Sequence, residues 1–139
     1  MFKWFGLKSF TSHTKVADFA DHLRDGRLMS SECASCGALS FPPRADCPDC
    51  MSPDFSFKEI SGRGTVHTWT RIVAPPKGFD AWAPYVIGVV DLEEGGRALG
   101  WFGESFPEEE VAIGMPVQLV PRMAEETEEI RVYYTLERP

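Results

Sequence analysis

The chain has 139 residues, 43% of them hydrophobic, and a formal net charge of −7. That length accommodates one ordinary domain or two small ones, and the acidic balance opposes phosphate backbones unless a local basic face compensates. No apolar run is long enough to span a bilayer, and the opening MFKWFGLKSF lacks the continuous apolar core and small-residue cleavage site of a secretory signal, so a cytoplasmic protein with reduced cysteines is the simplest expectation.

The opening segment is dense in apolar side chains, with Phe2, Trp4, Phe5, Leu7 and Phe10 set around Lys3 and Lys8. It reads as an arm that docks in a partner groove, with Phe2, Trp4 and Phe5 as contacts. Packing on the chain's own helix is the alternative, while two lysines over this length give little membrane affinity. Val16, Phe19, Ala20 and Leu23 then recur at helical spacing and form one apolar stripe. Asp18, Asp21, Arg24 and Asp25 cover the other side, and Gly26 is the expected stop. His13 and His22 are expected in solvent.

Two CxxC pairs follow, Cys33/Cys36 and Cys47/Cys50. Each pair can form a tight knuckle that points two thiolates at one ion, and the spacer between them lets the knuckles face each other. Gly37 supplies the turn after the first pair, Pro42 and Pro43 punctuate the spacer, and Pro48 stiffens the second knuckle. This is the spacing of a four-cysteine zinc ribbon, with the metal holding the fold. A single iron bound in the rubredoxin manner stays open, because spacing does not separate the two metals. A redox CxxC would open a helix after a strand, whereas turn residues follow both pairs here. A catalytic zinc would keep a position for water, and four thiolates leave none.

From Gly62 onward the pattern is β. Strands are expected over Gly64–Val73, Tyr85–Leu92, Ala98–Gly103, Met115–Met123 and Ile130–Leu136. Glu94-Gly95-Gly96-Arg97 is a hairpin signal between the second and third. Pro116 and Pro121 mark the fourth as an edge or a bulged strand. PEEEVAIG, before the fourth, reads as a short helical turn. Five strands with a helical plug between the third and fourth is the arrangement of an OB-fold barrel. The chain is therefore expected to be mainly β: an N-terminal arm and helix over residues 1–27, a zinc ribbon over 28–60 and a five-stranded OB-fold over 61–139.

Alternation places His67 on one face with Thr65, Trp69 and Arg71, and no orienting carboxylate is evident nearby, so it reads as a surface-strand histidine rather than a base. The Glu108–Glu110 and Glu125–Glu129 runs read as solubilising faces. The loop APPKGFDAWAP (74–84) is more informative. It carries Phe79 and Trp82, with Lys77 beside them and Arg71 on the preceding strand. OB-folds bind through this loop and the adjoining strand face, although the aromatics can equally fold down onto the barrel mouth. Residues 78–139 carry four basic and thirteen acidic side chains, which weighs against nucleic acid.

The order helix, CASCGALSFPPRADCPDC ribbon and five-stranded barrel resembles the rubredoxin-like zinc-ribbon and OB-fold family of acyl-CoA-associated proteins. The likeness rests on that ribbon (Cys33 to Cys50), on GRL (Gly26 to Leu28), SGRGTVHTWT (Ser61 to Thr70), APYVIGVVDLEEG (Ala83 to Gly95) and IGMPVQLV (Ile113 to Val120). The terminal ERP departs from the family's common aromatic-Arg-Pro ending. The resemblance implies a non-catalytic accessory subunit of a thiolase in a heteromeric complex, or of a MaoC-type hydratase or aldolase. The partner would hold the catalytic residues. It further implies a CoA thioester at the interface, with Arg71, Lys77, Phe79 and Trp82 as contacts to CoA or the partner. A nucleic-acid-binding OB-fold and zinc-ribbon protein is the alternative, and a membrane role is not expected.

Overall fold

The computed structural model describes residues 14–124 and 131–139; the arm residues Phe2, Trp4 and Phe5, together with His13 and the Glu125–Glu129 run, lie outside them. Two compact units emerge. Among the described residues, one takes in 14–61, 94–96, 121–124 and 131–133; the other comprises Gly62–Glu93, Arg97–Val120 and Tyr134–Pro139.

The first unit begins with α1 (Asp18–Arg24), whose buried side is the expected stripe of Phe19, Ala20 and Leu23, with Val16 buried just ahead of it. Its end follows from Gly26 at φ 79: the Gly26 N–H bonds Leu23 O at 3.0 Å and the Arg27 N–H bonds His22 O at 2.9 Å. This pairing is a Schellman motif, which needs a left-handed residue after the cap. The helix belongs with an antiparallel sheet in the order β2 (Leu39–Ser40), β1 (Met29–Cys33), β3 (Phe55–Glu59). Phe19 meets Phe41 edge to face at 5.8 Å. His22 is not in open solvent as expected, because its ring packs against Phe57 at 5.3 Å.

The second unit contains most of the barrel; the strand residues Pro121–Ala124 and Arg131–Tyr133 fall in the first. Strands β4 (Arg63–Ile72), β5 (Tyr85–Leu92), β6 (Arg97–Phe102), β7 (Pro116–Ala124) and β8 (Arg131–Glu137) close in the order β4-β5-β6-β8-β7. The third and fifth barrel strands, β6 and β8, run parallel, with Trp101 opposite Thr135 and Phe102 opposite Leu136. This is OB-fold topology. Inward positions on β5 and β6 are glycines that admit larger neighbours: a Cβ on Gly88 would lie 2.6 Å from the Phe102 ring, and one on Gly100 would lie 3.1 Å from the Tyr134 ring. The plug is smaller than a helix. It is one 3-10 turn, Glu108–Glu110, with buried Phe106 before it and buried Val111 after it.

Two expectations about the strands need correction. β7 is no edge: it lies between β4 and β8 in a closed barrel, and Pro116 heads the strand, where a missing N–H costs least. A bulge lies in β4, where the register shifts between Val66 and Thr68. That shift also breaks the alternation proposed for β4. His67 and Thr68 are both exposed, and Trp69 is half-buried.

The C-terminal residues are tied to the turn after β6. Buried Glu137 accepts hydrogen bonds from the Ser105 N–H at 3.2 Å, the Ser105 hydroxyl, and the Thr135 hydroxyl at 2.8 Å. Arg138 donates to Ser105 O at 2.8 Å, lies over the Phe106 ring at 4.9 Å and pairs with Glu110.

A Cβ on Gly64 would run into the Asp91 carbonyl oxygen and would lie 2.6 Å from Val90 Cγ1. The neighbour is backbone and cannot rotate away. Gly64→Ala should therefore lower stability in chemical denaturation by roughly 1–3 kcal/mol; Thr70→Ala, on the exposed side of the same strand, should change it little.

Candidate metal centre and barrel surface

The two knuckles repeat one backbone design. Cys33 N–H bonds Ala38 O and Gly37 N–H returns to Cys33 O; Cys47 N–H bonds Ser52 O and Met51 N–H returns to Cys47 O, all at 2.9–3.0 Å. In each knuckle a backbone N–H also reaches sulfur, Ser35 to Cys33 Sγ and Asp49 to Cys47 Sγ, both at 3.4 Å. The Ser35 and Ser52 hydroxyls join the knuckles at 3.0 Å. The repeat exposes a feature missed in the sequence. Gly37 takes φ 76 in the first knuckle, while Met51, at φ 64, takes the matching left-handed position in the second. The signal was available, since the second CxxC has no glycine behind it.

The four Sγ atoms all lie within 4.8 Å of one another, with Cys33 to Cys50 at 3.5 Å and Cys36 to Cys47 at 3.6 Å. A tetrahedral ion with metal–sulfur bonds of about 2.3 Å places its ligands about 3.8 Å apart, so the set fits. Charge points the same way. Hydrogen bonds from the Cys36 and Ser35 N–H groups lower the Cys33 thiol to about 6. Cys36 is pushed up to about 12: the Ala38 N–H opposes the shift, but the sulfurs of Cys47 and Cys50 and burial outweigh it. Cys50 is also raised, the Cys33 sulfur and burial overcoming the Ser52 N–H. Cys36 and Cys50 are thus held towards their protonated forms, a preference that a bound cation would remove. Cys33 and Cys47 are buried and Cys36 and Cys50 exposed, and no position is left over for a substrate.

On the barrel, Phe79 and Trp82 stand 5.6 Å apart and do not enter the mouth. They gather round Trp101 of β6, at 6.1 and 6.2 Å, and Tyr85 stacks on the same ring at 4.2 Å. Trp101 lies between the inward Gly100 and Phe102, so the cluster covers the outside of the barrel wall. Arg71 is engaged by Glu108 at 3.1 Å, and Lys77 is exposed.

The missing carboxylate for His67 is Asp91, on the neighbouring strand. His67 Nδ1 lies 2.9 Å from Asp91 Oδ2, and Arg97 Nε donates to Asp91 Oδ1 at 2.7 Å. The Arg97 guanidinium holds the Asp91 carboxyl below its ordinary value, with His67 adding to the effect. The folded-state value is lowered, so this stabilisation is present above the usual carboxylate range and is lost as pH falls through the lowered value. With these groups exposed, screening keeps it small.

Residues 20–56 match the family described as the ChsH2 rubredoxin-like zinc ribbon domain, and residues 57–122 match the ChsH2 C-terminal OB-fold domain. A "DUF35 domain-containing scaffold protein" of Methanocaldococcus jannaschii is 40% identical over 87% of this chain and 86% of its own length. "Benzoylsuccinyl-CoA thiolase subunit BbsA" of Thauera aromatica is 31% identical over 55% of this chain and 54% of that protein. Among solved structures, "Ltp2-ChsH2(DUF35) aldolase" has a TM-score of 0.69 at 27% identity, covering 91% of this chain and 98% of the other.

Two outcomes follow for the knuckles. Cys33→Ser or Cys47→Ser should abolish binding of one metal ion per chain and the associated ribbon structure, checked by elemental analysis and by Co(II) substitution spectra. Met51→Gly should stabilise the metal-loaded protein by roughly 0.5–1 kcal/mol, because glycine removes left-handed strain at a side chain that is 76% exposed and loses little burial.

Proposed function

Because this chain belongs to the ChsH2 family of rubredoxin-like zinc-ribbon and OB-fold (DUF35) proteins, we propose that it is a non-catalytic accessory subunit of an acyl-CoA-processing enzyme, specifically a thiolase. The observation that carries this reading is the fate of the cysteines. All four converge on one cluster, so none remains as an acyl-accepting nucleophile. His67, the one histidine with an orienting carboxylate among the described residues, stands on an exposed wall rather than in a cleft. The catalytic thiol and base then belong to the partner, and this chain supports the complex.

Within this reading residues 1–27 are the arm and helix, 28–60 the ribbon and 61–139 the OB-fold. Cys33, Cys36, Cys47 and Cys50 would hold zinc, which supplies the ribbon with a structural cross-link and no reactive position. Reduced thiols fit a cytoplasmic protein. Lys77, Phe79 and Trp82 are the contacts to the partner or its CoA thioester, with Arg71 available if Glu108 releases it. The thiolase is preferred because the Thauera aromatica relative carries a thiolase-subunit name; the aldolase named in the solved structure makes that enzyme class the nearest alternative. Nucleic acid is disfavoured by the thirteen acidic side chains of residues 78–139 against four basic ones.

Co-expression of the tagged chain with thiolase-, hydratase- and aldolase-type enzymes of its source organism tests this reading. A thiolase should co-elute in fixed stoichiometry by size exclusion and lose thiolytic activity when the chain is withdrawn. Failure of every enzyme class to bind, or acyl transfer by the chain alone, would overturn it.

A further inference from the structure

The outer wall of the barrel can be read row by row from the strand register. Val66, Gly88, Val90, Ala98 and Gly100 are buried on the inside, so Tyr85, Ile87, Val89 and Asp91 of β5 and Arg97, Leu99 and Trp101 of β6 face out. Asp91 pairs with Arg97, Val89 with Leu99, and Ile87 with Trp101. On the other flank the β4 bulge brings Thr68 opposite Val89 and Thr70 opposite Ile87, with Ile72 opposite Tyr85. Two uncharged rows result, Thr68–Val89–Leu99 and Thr70–Ile87–Trp101. The aromatic cluster of Tyr85, Phe79 and Trp82 continues them. Leu99 is 58% exposed and Trp82 40% exposed.

The borders of this face carry the information about what covers it. At one end Asp91 is already satisfied by Arg97 and His67, so covering it leaves no unpaired carboxylate. At the other end the charges are mixed: Glu108 and Glu110 are paired with Arg71 and Arg138, which leaves exposed Asp80 and Glu109 against exposed Lys77. Asp80 sits between Phe79 and Trp82 in sequence, and the Arg71–Glu108 pair ties the Glu108–Glu110 turn to the end of β4. Asp80 and Glu109 are exposed. OB-folds take ligands on this wall and its first loop. A single-stranded nucleic acid needs open stacking platforms in a basic groove. Here the rings are occupied by one another, and exposed Lys77 stands in a margin whose unpaired carboxylates are Asp80 and Glu109, which is no basic groove. An apolar centre containing Trp and Tyr, with charge confined to the rim, has the composition of a protein interface core.

We propose that the outer face of β4, β5 and β6, from Leu99 to Trp82, docks a protein partner whose contact surface is apolar at its centre and basic at its margin. The proposal rests on the accessory-subunit reading and identifies that partner with the enzyme it supports. Leu99 and Trp82 supply the central contacts, and Asp80 and Glu109 steer the approach.

The test is a titration of the purified metal-loaded chain against the enzyme recovered by co-expression, at low and high salt. Leu99→Glu and Trp82→Ala should each weaken binding roughly tenfold or more, with circular dichroism and metal content unchanged. Asp80→Lys with Glu109→Lys should slow association at low salt and have less effect at high salt. Met51→Ala, on the ribbon, should leave binding unchanged. If the wild type binds and both Leu99→Glu and Trp82→Ala bind equally well, the docking face is wrong and the accessory reading survives. If the wild type binds no enzyme, both fall. Two further results would also overturn the assignment: a self-associated chain dissociated by Leu99→Glu, which makes the occupant a second copy, and a labelled oligonucleotide displaced by Trp82→Ala.

Discussion

Four sulfur atoms within 4.8 Å of one another cannot all be thiolates unless a cation lies between them, and the first unit is arranged around that constraint. Its sheet has only a five-residue β1, a two-residue β2 and a five-residue β3. The helix adds Phe19, Ala20 and Leu23 to the buried set, and Phe41 meets Phe19. Burying each large apolar side chain contributes only about 1.5–3 kcal/mol before chain entropy is subtracted, so so small a sheet gains greatly from a cross-link between its knuckles. The same constraint shapes function. Cysteines committed to a closed site are unavailable for acyl chemistry, which within the accessory-subunit reading leaves the chain's surfaces as its contribution.

Local pattern and long-range pairing were legible to different degrees. The helix stripe, the two knuckles and the cores of the five barrel strands each depend on neighbours a few residues apart, and spacing reveals such neighbours. The bulge at His67 was hidden because one inserted residue leaves the composition of β4 unchanged; only pairing with β5 exposes the slip. Asp91 was not assigned to His67 for the same reason, since 24 residues separate them in the chain and one ladder joins them. Phe79 and Trp82 are neighbours in one loop and so are visible as a pair, whereas Trp101 joins them from another strand, a proximity only the strand pairing creates. Met51 shows a different gap. Its left-handed backbone is dictated by the knuckle, against the preference of its side chain.

Inward glycines and outward bulk are two sides of one packing solution. Gly88 and Gly100 leave room inside for Phe102, Tyr134 and Leu136. The intervening positions then carry Ile87, Val89, Leu99 and Trp101 to the outside. An ordinary half-buried strand would place polar residues there. The loop between β4 and β5 covers part of this surface, with Phe79 and Trp82 set against Trp101, and the stretch through Val89 to Leu99 continues beyond it.

The acidic setting of this wall favours some occupants over others before any contact forms. Phosphate backbones meet Asp80 and Glu109 with exposed Lys77 beside them, where an oligonucleotide binder would carry a basic stripe. A second copy meets the same obstacle, because face-to-face self-association brings like-charged margins together. A partner with basic groups around an apolar patch gains on both counts: its charges are attracted at long range, and its apolar centre displaces water from Leu99 and Trp82. On the proposed docking face the carboxylates that would oppose self-association are also those that would attract a basic-rimmed partner, so one arrangement of charge would serve both ends.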